Sequence, residues 1–131
     1  MREAILGKAA FPNLVGQQYM SLTTYRKNGE GVATPVWFVE KEGRLYVYTG
    51  ATAGKVKRIG HTSKVMVAPC TQTGEVLGEA AAGTARLLES EAERKMADDA
   101  LTRKYGLMKR LFSMLGRLRG GQAAYIEIAA V

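Results

Sequence analysis

The sequence predicts a mainly β protein, a six-stranded antiparallel barrel with a short helix after the third strand and a helical pair before the last. Three observations carry that reading. β-Branched and aromatic runs alternate with glycine turns through the first half of the chain. Between Glu91 and Leu118 the apolar residues recur instead at spacings of three and four, the period of helices. A last strand-like run, Ala123 to Ala129, follows the breaker Gly120-Gly121. The 131 residues suffice for one core but not for two, so a single domain, 1–131, is expected.

Residues 1–17 read as a short helical or irregular lead-in, broken by Pro12 and Gly16. Tyr19 to Arg26 is the first strand. Lys27-Asn28-Gly29-Glu30-Gly31 turns the chain back, because Asn-Gly tolerates the positive φ of a tight hairpin. Val32 to Val39 and Arg44 to Thr49 are the second and third strands, joined at Glu40–Gly43. A short helix then opens near Ala53 and ends at Gly60-His61. Lys64 to Cys70 is a strand with Val65 and Val67 on one face. Glu79 to Leu88 is another, and its Ala80–Gly83 run of small residues predicts close approach of a backbone or a ligand. Ser90-Glu91-Ala92-Glu93 is a capping box, and the helix behind it carries Met96, Ala100, Leu101 and Tyr105 on one stripe. Beyond Gly106, the residues Met108, Leu111, Phe112, Leu115 and Leu118 mark a second helix.

Charge is unevenly placed. Six cations and no acid lie between Arg103 and Arg119, so this segment holds +6 of the net +7. It reads either as the meeting place for a local anionic partner or as an amphipathic helix covering the barrel with its cations in water. Nucleic acid is the weaker choice of partner, since only two aromatics, Tyr105 and Phe112, are interleaved with those cations. The lone Cys70 excludes an internal disulfide and fits a reducing, cytoplasmic compartment. No apolar run is long enough for a membrane span, and the first residues do not read as a signal peptide.

Three neighbouring stretches form the candidate site: Thr34-Pro35-Val36-Trp37-Phe38, Leu45–Gly50, and Ala53-Gly54-Lys55-Val56-Lys57-Arg58-Ile59. A proline inside a strand cannot donate to the ladder, so Pro35 marks an edge or a bulge with free backbone groups nearby. Those groups suit the polar rim of a heterocycle. A helix start beside Thr49 and Lys55 suits a phosphate, through exposed N–H groups, the helix dipole and a charged donor. If the segment is helical, Lys55 and Arg58 share a face; if it is extended, Lys55 pairs with Lys57. Taken alone, Trp37 and Phe38 also read as core aromatics, and the cations as a solvated turn. His61 reads as a capping or surface residue and Cys70 as a small buried apolar one. No metal is expected from one histidine and one cysteine in separate elements. No nucleophile–histidine–acid set can be assembled, so the catalytic residues are unassigned. That pattern suits redox work, in which the cofactor carries the chemistry, and equally plain cofactor binding.

The Thr34–Phe38 strand, Leu45–Gly50, the Lys55–Ile59 segment and Gly83-Thr84-Ala85-Arg86-Leu87 together resemble the split-barrel flavin and deazaflavin oxidoreductases, the superfamily of pyridoxamine 5′-phosphate oxidase. The similarity spans about Tyr19 to Leu88 and is greatest to the branch dependent on coenzyme F-420. It implies a six-stranded split barrel that dimerises, with two cofactors in grooves between the subunits. It implies that Thr34, Pro35, Val36 and Trp37 line the ring, and that Thr49, Lys55, Lys57 and Arg58 hold the phosphate. The cofactor it implies is coenzyme F-420, with FMN next, and the activity is hydride transfer to a small conjugated or quinone-like substrate. A non-enzymatic flavin- or haem-binding barrel is the alternative. The chain departs from the oxidase proper, which has an arginine-started, lysine-ended strand where Thr34–Val39 stands, and this weighs against pyridoxamine phosphate oxidation. The basic helical segment has no counterpart in the minimal barrel; the polyglutamate tail of coenzyme F-420 is one anion it could attract.

Overall fold

A computed structural model describes residues 10–118 and 120–131. The first nine positions of the expected lead-in, and Arg119 of the basic segment, lie outside the described residues. Six strands, β1 (Tyr19–Tyr25), β2 (Gly31–Lys41), β3 (Arg44–Gly50), β4 (Lys64–Cys70), β5 (Ala81–Leu87) and β6 (Ala123–Ala130), close into an antiparallel barrel in the order β1-β2-β3-β6-β5-β4. Helix α1 (Gly54–His61) follows β3, while α2 (Glu91–Tyr105) and α3 (Leu107–Leu118) precede β6. The mainly β barrel and the position of every helix are those the sequence predicts. The first three strands form the expected meander, with Gly29 at φ 90° in the first turn and Glu42 and Gly43 both at positive φ in the second.

Alternation along each strand sorts side chains into two layers. Met20, Leu22, Val36, Phe38, Val47 and Ile126 point inward and meet Ile59 of α1 at the barrel's end. Tyr46 and Tyr125 point outward and are covered by Ala97, Leu101 and Tyr105 of α2, with Trp37 and Tyr48 packed alongside. Ser90 caps α2 as expected, its hydroxyl accepting from the N–H of Glu93 at 3.1 Å. The strand expected from Glu79 begins two residues later, at Ala81. The close approach predicted for its small residues occurs at Gly83, where a side chain would collide with Ile128 and the backbone of Ala129. On the outer face, Glu127 accepts bonds from Tyr46 and Arg86 of the flanking strands, tying β3, β6 and β5 together.

One strand changes partners. Gly31–Trp37 of β2 pair only with β1, and Phe38–Lys41 pair only with β3. The change would leave the N–H and C=O of Phe38 unpaired. The Tyr105 hydroxyl sits within 3.0 Å of that N–H and 2.8 Å of that C=O, and Lys104 Nζ donates to the same carbonyl at 2.8 Å. Desolvation by burial pushes the Tyr105 hydroxyl up to about 12, so it stays protonated and able to donate.

α3 is turned the opposite way from the expected amphipathic cover. Lys109, only 1% exposed, faces the protein and donates to Asp98 Oδ1 and Ser113 Oγ, both at 2.6 Å, with its ammonium 4.3 Å from the Tyr48 ring centroid. Asp98 also accepts from the Tyr125 hydroxyl at 2.6 Å. Burial works to raise the Asp98 carboxyl, but these two bonds outweigh it and hold the group below its usual value. A satisfied buried ammonium has been given the inward side, and the leucine stripe lies outside.

Replacing Tyr105 by Phe leaves the Phe38 N–H buried and unpaired, and is expected to lower unfolding stability by about 1–3 kcal/mol in chemical denaturation. An unchanged midpoint would show that the partner change needs no support from α2.

Candidate functional site at the fork between two strands

Past the pair Phe38↔Val47 the β2–β3 ladder stops, and β3 continues with β6 alone through Tyr48, Thr49 and Gly50. The two strands therefore part like a fork, with Thr34–Trp37 on one prong and Tyr48–Gly50 on the other. Pro35 stands on the open prong, as its missing donor requires. The backbone groups of this stretch that face away from β1 have no strand partner. Thr34 Oγ1 is buried and has no hydrogen-bond partner among the described residues; two residues from Val36, its side chain lies on the barrel-facing side of β2. A buried, unpaired hydroxyl is costly, and a ligand polar atom is one way to satisfy it.

The predicted ring-lining residues divide between two faces. Val36 is buried inside the barrel, whereas Trp37 lies outside, stacked on Tyr105 at 4.5 Å and met edge-on by Phe112 of α3 at 4.9 Å. Side chains of both cannot line one ring surface, so the shared feature of Thr34–Trp37 is their backbone edge. An aromatic cleft of about 240 Å³, lined by Trp37, Tyr48, Thr49 and Phe112, opens where the prongs separate. A larger cleft of about 540 Å³ shares Tyr48 with it and is lined further by Gly50, Arg94, Arg117 and Gln122.

The predicted phosphate-binding residues lie on α1 and just before it. The segment is helical, so Lys55 and Arg58 come together and exposed Lys57 stands apart from them. Arg58 Nε donates to Thr24 Oγ1 at 2.6 Å, fixing α1 to β1 opposite Val32, two residues before Thr34. Lys55 is half-buried, and burial foremost, with the Arg58 charge second, lowers its pKa. No carboxylate bridges Lys55, Lys57 or Arg58 among the described residues. Ala53, the residue before α1, offers no side chain to cap its first N–H groups. Two like charges, one half-buried, beside uncapped N–H groups make a place where an anion would relieve both repulsion and desolvation. Thr49 sits on β3 opposite Ala124, at the fork rather than on the helix.

His61 is exposed at the end of α1, and Cys70 is buried, both as expected. No group of three or more metal-ligating side chains occurs among the described residues. Sequence reasoning missed Tyr48, Tyr105 and Phe112 as walls of this site. Tyr48 belonged to a noticed strand, but the contribution of α2 and α3 needs tertiary contacts that no spacing reveals.

No curated protein sequence matches the chain. Among solved structures, the haem storage protein HutZ of Vibrio cholerae aligns with a TM-score of 0.69 at 12% identity, covering 88% of this chain and 83% of its own. A conserved hypothetical protein of Mycobacterium tuberculosis gives 0.69 at 17%, covering 99% and 81%. An FAD-binding protein of Mesorhizobium loti gives 0.61 at 13%, covering 90% and 82%. At such identities these likenesses establish the split-barrel fold. The sequence pattern described as pyridoxamine 5′-phosphate oxidase matches residues 7–124, nearly the whole length, and the chain accordingly belongs to the pyridoxamine 5′-phosphate oxidase family.

Proposed function

We propose that the fork between β2 and β3 holds a phosphorylated tricyclic redox cofactor, coenzyme F-420 in first place and FMN in second, and that the protein is an oxidoreductase. The supporting observations are an unpaired edge of β2 past Phe38↔Val47, a buried Thr34 hydroxyl with no partner among the described residues, and, on the helix that follows β3, a half-buried Lys55 that no carboxylate bridges among the described residues. Each has an ordinary explanation alone. Together they provide what a flat ring with an anionic tail requires.

In this reading the backbone of Thr34–Val36 bonds the polar rim of the ring, and Thr34 Oγ1 gains its missing partner. Lys55 and Arg58 take the phosphate with the first N–H groups of α1, Thr49 borders it at the fork, and Lys57 adds positive field from the exposed side. When bound, the ring supplies a two-electron hydride; the protein binds, orients and limits access. Trp37, Tyr48 and Phe112 form an apolar wall for a flat acceptor, a small conjugated or quinone-like molecule. No acid or base is assigned, so the proton completing reduction comes from water through the open cleft.

Arg94, which lines the adjoining cleft, is the basis on which we rank coenzyme F-420, with its acidic tail beyond the phosphate, before FMN. Among the described residues, the one acid lining that cleft, Asp98, is already engaged by Lys109 and Tyr125. A homodimer that deepens the groove at its two-fold interface belongs to the same proposal. The likeness to a haem storage protein keeps a carrier as the second reading, and the lack of an assigned acid or base suits it as well.

Lys55→Ala should weaken cofactor binding by about 1–3 kcal/mol in a fluorescence titration. Because the lowered pKa of Lys55 marks where its charge is lost, affinity should fall as pH rises through that range, below the usual lysine value. Lys55→Arg, which stays charged, should abolish this fall. Affinity independent of both residue and pH would reject the phosphate role. Thr34→Val removes an unpaired hydroxyl, so it should leave the stability of the free protein unchanged or raised while weakening cofactor binding. Equal affinity of this variant would show that Thr34 does not face the ring. Reduced coenzyme F-420 mixed with a soluble naphthoquinone should be oxidised at a rate proportional to enzyme. Tight binding without quinone-dependent oxidation would favour the carrier.

A further inference from the structure

α3 is amphipathic and mounted with its apolar side outward. At 100° per residue, Lys109, Ser113 and Gly116 fall on one arc, and that arc faces the protein: Lys109 and Ser113 are bonded there, and Gly116 lies against the Tyr48 hydroxyl. Leu107, Leu111 and Leu118 fall at the centre of the opposite arc and are 79%, 51% and 76% exposed. Met108, Met114 and Leu115 extend this apolar face and are exposed too. A stripe of this size on a monomer calls for an occupant.

Charge identifies the occupant. Arg110 and Arg117, seven residues apart and both exposed, run along one border of the apolar stripe. No acid occurs from Arg103 to Arg119, where six cations gather. A second copy packed two-fold on this face would set its own Arg110 and Arg117 against these, a like-charge contact that opposes assembly. Asp98 and Asp99 line a cleft with these arginines but are already bonded to Lys109 and Lys95, so a neutral apolar partner would add no counter-charge for Arg110 and Arg117. An anionic lipid surface satisfies both features, with leucines entering the headgroup–acyl boundary and arginines meeting phosphates. No described helix is long and apolar enough to cross a membrane, so the contact is one of lying on the surface. We infer that α3 docks the protein on anionic bilayers through Leu107, Leu111 and Leu118, flanked by Arg110 and Arg117. Phe112, which touches Trp37 beneath, would then bring the aromatic cleft close to the lipid, within reach of a lipophilic acceptor.

Sedimentation with vesicles tests this. The full chain should pellet with phosphatidylglycerol-containing vesicles, stay in the supernatant with pure phosphatidylcholine ones, and be released by raised salt. Arg110→Gln combined with Arg117→Gln should weaken the partition by about 25-fold, as two juxtamembrane cations would. Leu111→Gln with Leu118→Gln should weaken it about tenfold or more. Both pairs replace exposed side chains, so their melting temperatures should match the wild type, which separates lost docking from lost folding. A wild type that ignores anionic vesicles, or a partition indifferent to both pairs, overturns the inference. If the vesicles are ignored and the protein self-associates unless Leu111 and Leu118 are changed, the face belongs instead to a second copy.

Discussion

The Tyr105 hydroxyl at Phe38 is the contact on which the rest depends. β2 is one continuous strand of eleven residues, yet it serves two partners in succession. At the handover its backbone would be left unpaired, and a phenol from α2 completes it. Because the handover is satisfied, β2 and β3 can diverge beyond it without an energetic penalty at the junction. The opening between them follows from that divergence. The helix that completes the junction also supplies the ring on which Trp37 stacks, so the barrel's split and its aromatic wall have a common origin.

Much of this was legible in the sequence because local rules decided it. Asn28-Gly29, the Ser90–Glu93 box and the alternating valines of β4 each specify their structure within a few residues. Pro35 announced an open edge, and the spacing of Lys55 and Arg58 announced their common face once the segment proved helical. Other features lay beyond local reading. Val36 and Trp37 are adjacent in sequence and on opposite faces, so a motif written as one line becomes two layers. The orientation of α3 was also hidden. Its leucine stripe resembles that of any core-facing helix, and only the Asp98–Lys109–Ser113–Tyr125 cluster shows that the polar side won the inward position. A lysine reads as solvent-facing unless its buried partners are known.

The electrostatics divide the positive charge between two jobs. At α1 a few cations sit near backbone donors without carboxylates, an arrangement suited to one compact anion. On α3 the two exposed cations, Arg110 and Arg117, border an apolar face, an arrangement suited to an extended anionic surface. Acids elsewhere are spent on structure: Glu127 and Glu93 bind Arg86 on the outer face of β5, and Asp98 holds Lys109. The net charge therefore records a partition of roles rather than a uniform basic coat.

The most direct measurement is a crystal structure of the protein grown with FMN or with coenzyme F-420. The account predicts density for the ring along the backbone of Thr34–Trp37, with the phosphate beside Lys55 and the first turn of α1. It would be contradicted by a cofactor lodged elsewhere, or by a fork zipped shut with β2 and β3 paired through Thr34 and Thr49.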